Sequence, residues 1–304
     1  MRRTNLLVAL KTVEGVDQVW KYGADAVTLD LRDVHTEALD QKARKWIRIS
    51  IRFAAFGGAE VFAGVSGQRL DQELEAAVWP GVAGVAIYGA ESGVDVIRVS
   101  DKLEALERNR GISSGSLEVI PVLETALGVW NVREIITAGH RVKQVALDEA
   151  ALCSDLSIVP QEEYDPLVYA RGRVVIEATA VGVQPLDAPH PLGTLSSELS
   201  EADLLGEGTR AKDLGFKGAI FTNRAWVEPF NAAFSPTQEQ VDYYTEVRRV
   251  FAEGVARGTA AIPFQGRMVD VPVDEWAKAI LERAAQCRAR DQEKLQALEK
   301  AKAA

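Results

Sequence analysis

Cysteine is nearly absent from this 304-residue chain. Cys153 and Cys287 are the only two, too few for a disulfide framework or a thiolate metal cage. A reducing, cytoplasmic setting is therefore the expectation, and Cys153, beside Leu152, reads as a buried thiol rather than a nucleophile. Histidine is almost as scarce: His35, His140 and His190 have no metal-type spacing and read as surface or structural residues. Positive charge is in deficit, 35 Lys and Arg against 44 Asp and Glu, a net charge of −9 at pH 7. That excludes general affinity for nucleic acid or a membrane surface, since phosphate partners want a basic face, and leaves only local phosphate binding open. No apolar run approaches the ~20 residues a membrane span needs. Met1-Arg2-Arg3 leads into an apolar stretch that Lys11 and Glu14 close, too short for a secretion signal. Gly57-Gly58 and Gly64-x-x-Gly67 lack the Lys-Ser/Thr context of a phosphate loop. Trp226 and Trp276 read as packing residues.

What is present is the ordinary substance of a globular enzyme: 47% hydrophobic and 26% charged residues. A chain this long exceeds a single core unless the core is an α/β barrel, which holds about 250 residues as one domain. Short apolar runs alternate with helical patterns along it. The expected strands are Asn5 to Leu10, Ala26 to Leu31, Ile47 to Phe53, Gly84 to Tyr88, Glu118 to Leu123, Gln144 to Leu147, Val174 to Ile176 and Gly218 to Thr222. Helices are expected at Val13 to Tyr22 (stopped by Gly23), Glu37 to Lys45, Leu70 to Trp79, Val94 to Arg108, Gly128 to Ala138 and Ser197 to Leu214. Gly57 to Gly67 reads as a loop, and Asp187 falls in a Pro-rich loop from Pro185 to Pro191. Eight strands alternating with helices predict a (β/α)₈ barrel over residues 1–236. Residues 237–304 then form a separate C-terminal segment, two helical stretches around a loop at Pro263 to Asp270. The last helix, rich in Lys, Glu, Arg and Ala, reads as a solvated, frayed tail.

The chemistry is expected at the C-terminal ends of the strands, where parallel α/β proteins keep their ligand groups. Glu124 ends the Glu118 to Leu123 run and Thr125 caps the helix behind it; a carboxylate there either complements the helix dipole or holds a ligand. Other strand ends also carry charge: Asp30, Arg32 and Asp33 after the second, Arg52 on the expected third, Asp148 and Glu149 after the sixth.

These residues carry a family resemblance. Tyr22 to Asp33 resembles the GAD-x-V-x-LDLED signature of the citrate lyase β-subunit-like family, which includes the malyl-CoA and citramalyl-CoA lyases in the HpcH/HpaI aldolase superfamily. Ile51-Arg52 resembles its VRxN strand, Leu123 to Gly128 its xETAxG motif, Asn231 to Pro236 its NxxFSP, and Phe264 to Pro272 its FxGxMxDxP segment, in order from about Leu6 to Ala284. The resemblance implies a barrel with a helical lid, packed as a homotrimer or hexamer, that cleaves or forms a carbon–carbon bond beside a CoA thioester. It also implies a Mg²⁺ held by Glu and Asp, an Arg for the carboxyl or carbonyl oxygens, and a lid Asp from a neighbouring subunit as acid/base. Mg²⁺ suits carboxylate oxygens and stabilises a developing enolate; Arg offers a bidentate fork. Glu124 matches the metal Glu, Arg52 the substrate Arg and Asp270 the lid Asp.

The sequence departs from that pattern at several of these places. Arg32 stands where the signature has Glu. The metal Asp aligns with Ala151, so Asp148 becomes the second candidate ligand, and Asp30, Arg32 and Asp33 become candidate substrate-binding residues. The family's Pro-Lys after the fourth strand is Tyr88-Gly89, its Lys and His-Pro near the eighth strand are Ala219 and Asn223-Arg224, and the Asn after the substrate Arg is Ala54. Three readings follow: a lyase or aldolase acting on a carboxylated acyl-CoA or 2-oxoacid with an altered mouth; a paralogue that binds an acidic metabolite or a protein partner without lyase activity; or a thioester hydrolase on the same barrel. An Arg32–Glu124 ion pair in the metal's place favours the second.

Overall fold

The computed structural model describes residues 1–10, 15–32, 37–67, 69–159, 164–189 and 199–303, with backbone alone at 37–45 and 301–303. Asp33, His35 and His190 lie outside the described residues. Eight parallel strands close in sequence order into one barrel: β1 Thr4–Ala9, β2 Ala26–Asp30, β3 Glu60–Ser66, β4 Val82–Tyr88, β5 Glu118–Leu123, β6 Gln144–Asp148, β7 Gln184–Ala188 and β8 Gly218–Phe221. The helices around it are α1 Glu37–Ala55, α2 Leu70–Ala77, α3 Gly93–Arg110, α4 Ala126–Trp130, α5 Val132–Thr137, α6 Glu149–Asp155, α7 Val168–Ala180, α8 Glu201–Asp213 and α9 Val227–Ala233. The chain closes with α10 Gln238–Ala256, an antiparallel hairpin (β9 Ile262–Phe264, β10 Arg267–Val269) and α11 Val271–Ala303. No helix among the described residues is long and apolar enough to cross a membrane.

Pleating sends alternate residues inward and outward. Inward-facing Ala26, Phe62, Ala86, Ile120, Ala146, Leu186 and Ile220 fill the barrel, while the outward set packs beneath the helices. The N-terminal end is plugged by Arg2, whose guanidinium donates to Glu60, to Glu118 at 2.7 Å and to Gln144 at 2.9 Å. At the C-terminal end the strand-end charges gather.

Two expected strands are helices. Ile47 to Phe53 belongs to α1, and the third strand is Glu60–Ser66, inside the expected loop. Apolar residues at 47, 49, 51 and 53 imitate alternation, yet Ile49 is exposed and the buried set is Ile47, Ser50, Ile51 and Ala54, a helical stripe. Val174 to Ile176 likewise lies in α7. The seventh strand is Gln-Pro-Leu-Asp-Ala, so Asp187 is on a strand and not in a loop. The expected first helix is, over the described residues, a turn ending in a 3₁₀ helix at Val19–Tyr22, and Gly23 stops it in the left-handed region at φ 71°. The expected lid loop is the β9–β10 hairpin, turned by Gln265 and Gly266 at φ 47° and 75°.

The charged last helix is not a frayed tail. Its buried residues Ala277, Ala284, Cys287 and Lys294 face inward, and it crosses the N-terminal end of the barrel. Arg283 donates to the carbonyls of Phe234 (3.0 Å) and Lys217 (3.1 Å), Arg290 to those of Asp25 and Gly58, and Lys294 to Asp25 Oδ1 at 2.7 Å. Asp25, wholly buried, also takes both arms of Arg3, which holds its carboxyl down at about 2 against the cost of burial.

Candidate active site

Strands β2, β4, β5 and β6 bring Asp30, Tyr88, Glu124 and Asp148 to the C-terminal end of the barrel, with Arg32 from just beyond β2. Arg32 donates from Nε to Asp30 Oδ1 at 3.1 Å, from Nη2 to Asp30 Oδ2 at 3.0 Å, and from Nη1 to Glu124 Oε1 at 3.1 Å. Its backbone N–H also donates to Asp30 Oδ1 at 2.9 Å, which ties the residue's main chain to the same carboxylate. The guanidinium carbon lies 3.2 Å from the centroid of the Tyr88 ring, a stacked cation–π contact. Three directions of restraint leave the cation fixed, with a quarter of the side chain open to solvent.

Glu124 reaches this point because β5 ends at Leu123 and Thr125 starts α4, its hydroxyl accepting from the Gly128 N–H at 3.1 Å. The Thr125 hydroxyl donates in turn to Glu91 at 2.8 Å, pinning the turn that carries Glu124. Burial raises the Glu124 carboxyl above its ordinary range; Asp148 and Asp30 add to the rise and Arg32 opposes it. Asp148 caps α6, accepting from the Ala151 N–H at 3.0 Å. Tyr88 is buried, and its hydroxyl has no hydrogen-bond partner among the described residues. Burial, with the nearby carboxylates, pushes that phenol well above its usual value, while Arg32 pulls the other way, so it stands protonated as a donor. Beside it, β3 presents Gly64, where an added Cβ would lie 3.3 Å from both Asp30 Oδ1 and the Tyr88 ring.

Of the expected site residues, Asp30, Arg32, Glu124 and Asp148 meet here. Arg52 does not. It is exposed on α1, three residues before the helix ends and the chain turns into the N-terminal end of β3, on the outside of the barrel away from the mouth. Third-strand β3, Glu60 to Ser66, carries no arginine at all. Asp270 is also apart: it caps α11, accepting from the Val273 N–H at 3.2 Å. Some thirteen residues, about 20 Å of helix, separate it from Arg283 at the barrel's N-terminal rim. Tyr88 and Gly64 were not singled out as site residues from the sequence. Their signal was position: a tyrosine ending one strand and a glycine on the neighbouring one.

Mg²⁺ would need oxygens from Glu124 and Asp148, the carboxylates of adjacent strands. Glu124 Oε1 is already paired with a guanidinium, Asp148 Oδ1 with a helix N–H, and Ala151 offers only a methyl group. Among the described residues no group of three or more His, Cys, Asp or Glu is placed to share an ion. A fixed cation 3.1 Å from one of two ligands repels a second, doubly charged one. This donor set does not fit a resident dication.

The sequence model of the HpcH/HpaI aldolase/citrate lyase family matches residues 3–224. The citrate lyase subunit beta of Escherichia coli (strain K12) is 28% identical over 290 residues, covering 93% of each chain. Mitochondrial citramalyl-CoA lyase of Rattus norvegicus is 24% identical over 295 residues, covering 92% of this chain and 85% of that protein. Among solved structures, a citrate lyase from Burkholderia xenovorans LB400 superposes with a TM-score of 0.76 at 16% identity, covering 94% of this chain and 92% of that one. The protein CitE from Mycobacterium tuberculosis, in complex with magnesium, acetoacetate and coenzyme A, gives 0.70 at 23% identity, covering 93% and 98%.

Proposed function

The chain belongs to the HpcH/HpaI aldolase/citrate lyase family, and from that premise we propose that it is a carbon–carbon lyase or aldolase for a carboxylated acyl-CoA or a 2-oxoacid, working through an altered barrel mouth. The observation that carries the reading is the family match over residues 3–224, and the fixed guanidinium of Arg32 among Asp30, Glu124 and Tyr88 is what alters the mouth. Cleaving a carbon–carbon bond next to a carbonyl requires a base for the β-hydroxyl proton and a positive group for the enolate oxygen left behind. Glu124, its proton affinity raised by burial, and Asp148 are the candidate bases, since a carboxyl nearer neutrality exchanges protons more effectively. Arg32 is the candidate for the developing negative charge. The magnesium seen with a relative has no matching place beside Arg32, so no step is routed through it. A homotrimer or hexamer, in which Asp270 of one copy serves the mouth of the next, is supported by the place of Asp270 at the start of α11, beside a small core of Val247, Val269 and Ala277 that is separate from the barrel's. Two buried, unpaired cysteines support a cytoplasmic setting.

A second reading has its own support. Arg32 is already engaged by Asp30 and Glu124, which suits a paralogue that binds an acidic metabolite or a protein partner without lyase activity. A panel of carboxylated acyl-CoA esters and 2-oxoacids, assayed by mass spectrometry with and without Mg²⁺, tests the choice. A product of carbon–carbon cleavage or condensation from any member supports the lyase, whereas free CoA with the intact acid points to a thioester hydrolase. Thermal stabilisation by a panel member without turnover supports the binding paralogue, and neither result across the panel sinks both readings.

A further inference from the structure

We propose that the Tyr88 hydroxyl and the Arg32 guanidinium together form a metal-free binding site for the carboxylate or carbonyl oxygen of a 2-oxoacid at the barrel mouth. This deepens the reading above and rests on it. The inference starts from an unpaired group: the Tyr88 hydroxyl is buried, has no acceptor among the described residues, and lies among Asp30, Arg32, Glu124 and Asp148. A buried donor left unpaired costs about 1–3 kcal/mol, which a bound oxygen would relieve. The ring that carries the hydroxyl is held in place: an added Cβ at Gly64 would come within 3.3 Å of it from β3, and the Arg32 guanidinium carbon lies 3.2 Å from its centroid.

Arg32 supplies the charge. Asp30 grips Nε and Nη2, and Glu124 takes Nη1, so the guanidinium is aimed by two carboxylates rather than free to swing. An anion entering the mouth meets a cation whose position is already fixed, with the hydroxyl of the tyrosine it contacts as a neutral donor. Such a pair recognises a planar carboxylate or 2-oxoacid and needs no bridging ion. The negative groups Asp30, Glu124 and Asp148 also limit what enters: one acidic function can be matched by Arg32, whereas a densely charged polyanion would face three carboxylates.

The test is calorimetric titration of pyruvate and of oxaloacetate into chelator-treated full-length protein, repeated with Mg²⁺. The expected result is binding of at least one probe without metal, weakened about ten-fold by Tyr88→Phe, the worth of one hydrogen bond. Arg32→Lys, which keeps the charge but loses the fork, should weaken it further. Tyr88→Phe preserves ring and stacking, and its melting curve checks that it folds; should it not, Arg32→Lys alone decides. Failure of both probes to bind without metal, or binding that appears only with Mg²⁺, overturns the site. So does unchanged affinity in Tyr88→Phe, or in Arg32→Lys if that variant alone decides. Mg²⁺-dependent cleavage of an acyl-CoA would overturn this site while leaving the lyase reading standing; metal-free binding without cleavage would do the reverse.

Discussion

Replacing Arg32 with alanine removes the one cation that the described residues place among Asp30, Glu124 and Asp148. At an effective dielectric near 20, a pair of unit charges about 4 Å apart is worth about 4 kcal/mol. Breaking a fully buried pair costs about 3–5 kcal/mol. Arg32 and Glu124 keep 25% and 22% of their side chains exposed, so water recovers part of this and about 2–3 kcal/mol is the expected loss. For a chain of this length that lowers Tm by about 4–6 °C. The pH dependence has a definite sign. The Glu124 carboxyl is already raised above its model value of 4.5, and losing the guanidinium that opposes the rise raises it further. A carboxyl that binds its proton more tightly folded than unfolded leaves stability intact below about 4.5 and removes it as pH climbs to the folded value. The deficit should therefore be full at neutral pH and shrink towards about pH 5. Millimolar Mg²⁺ should restore stability in Arg32→Ala and not in the parent, because the cleared carboxylates now suit a dication. Scanning calorimetry across pH, with and without Mg²⁺, checks all three. An unchanged Tm at neutral pH, or equal gain from Mg²⁺ in both proteins, refutes the picture of Arg32 as the mouth's own cation.

Asp187, buried against Glu149 and pushed well above its ordinary range by that burial first, faces Arg171 and Arg210 without being neutralised by either. Asp187→Asn should raise Tm at neutral pH, the advantage fading below about pH 4, where aspartate is protonated folded or unfolded; a Tm lower than the parent's at all pH values would contradict this. Glu107 takes two bonds from Arg141 (2.7 and 2.8 Å) and two from the Gly115 and Leu117 N–H groups, all acceptors' work that an amide cannot match. Glu107→Gln should cost about 3–5 kcal/mol, read as a lower urea midpoint with an unchanged slope. A homotrimer or its multiple is expected by light scattering at micromolar concentration, and a monomer there would end the shared-mouth arrangement around Asp270.

The barrel was legible wherever a strand is covered on both faces, because burial on two sides writes a continuous apolar run. Glu118 to Leu123 and Val82 to Tyr88 are strands of that kind, and Thr125 and Gly23 mark their neighbouring turns by cap chemistry alone. The seventh strand escaped because Gln184-Pro185-Leu186-Asp187-Ala188 has one large apolar residue and a proline; in the barrel, Pro185 lacks an N–H to give but its carbonyl still accepts from Lys217 at 2.9 Å. The docking of α11 was illegible for a different reason. Its anchors are Arg283, Arg290 and Lys294, residues that look solvated in sequence and are partly or wholly covered because Asp25 and the carbonyls of Phe234, Asp25 and Gly58 accept from them.

The third strand matters most, since the misplaced strand also misplaced the arginine. With Ile47 to Phe53 in α1, Arg52 leaves the mouth, and the true β3 presents Gly64 where a long side chain would have pointed inward. Taken alone, a cation at position 32 reads as damage to a metal site. Beside Gly64 it reads as a displacement: strands lie about 4.8 Å apart, so a guanidinium rooted after β2 can cover the space that a residue on β3 leaves empty. Tyr88 from β4 fills that space from the other side, and its ring becomes the surface on which the guanidinium rests at 3.2 Å. The three positions are therefore coupled. Adding a side chain at Gly64 would crowd both Asp30 and Tyr88, and removing the Tyr88 ring would take away the surface that the Arg32 guanidinium contacts.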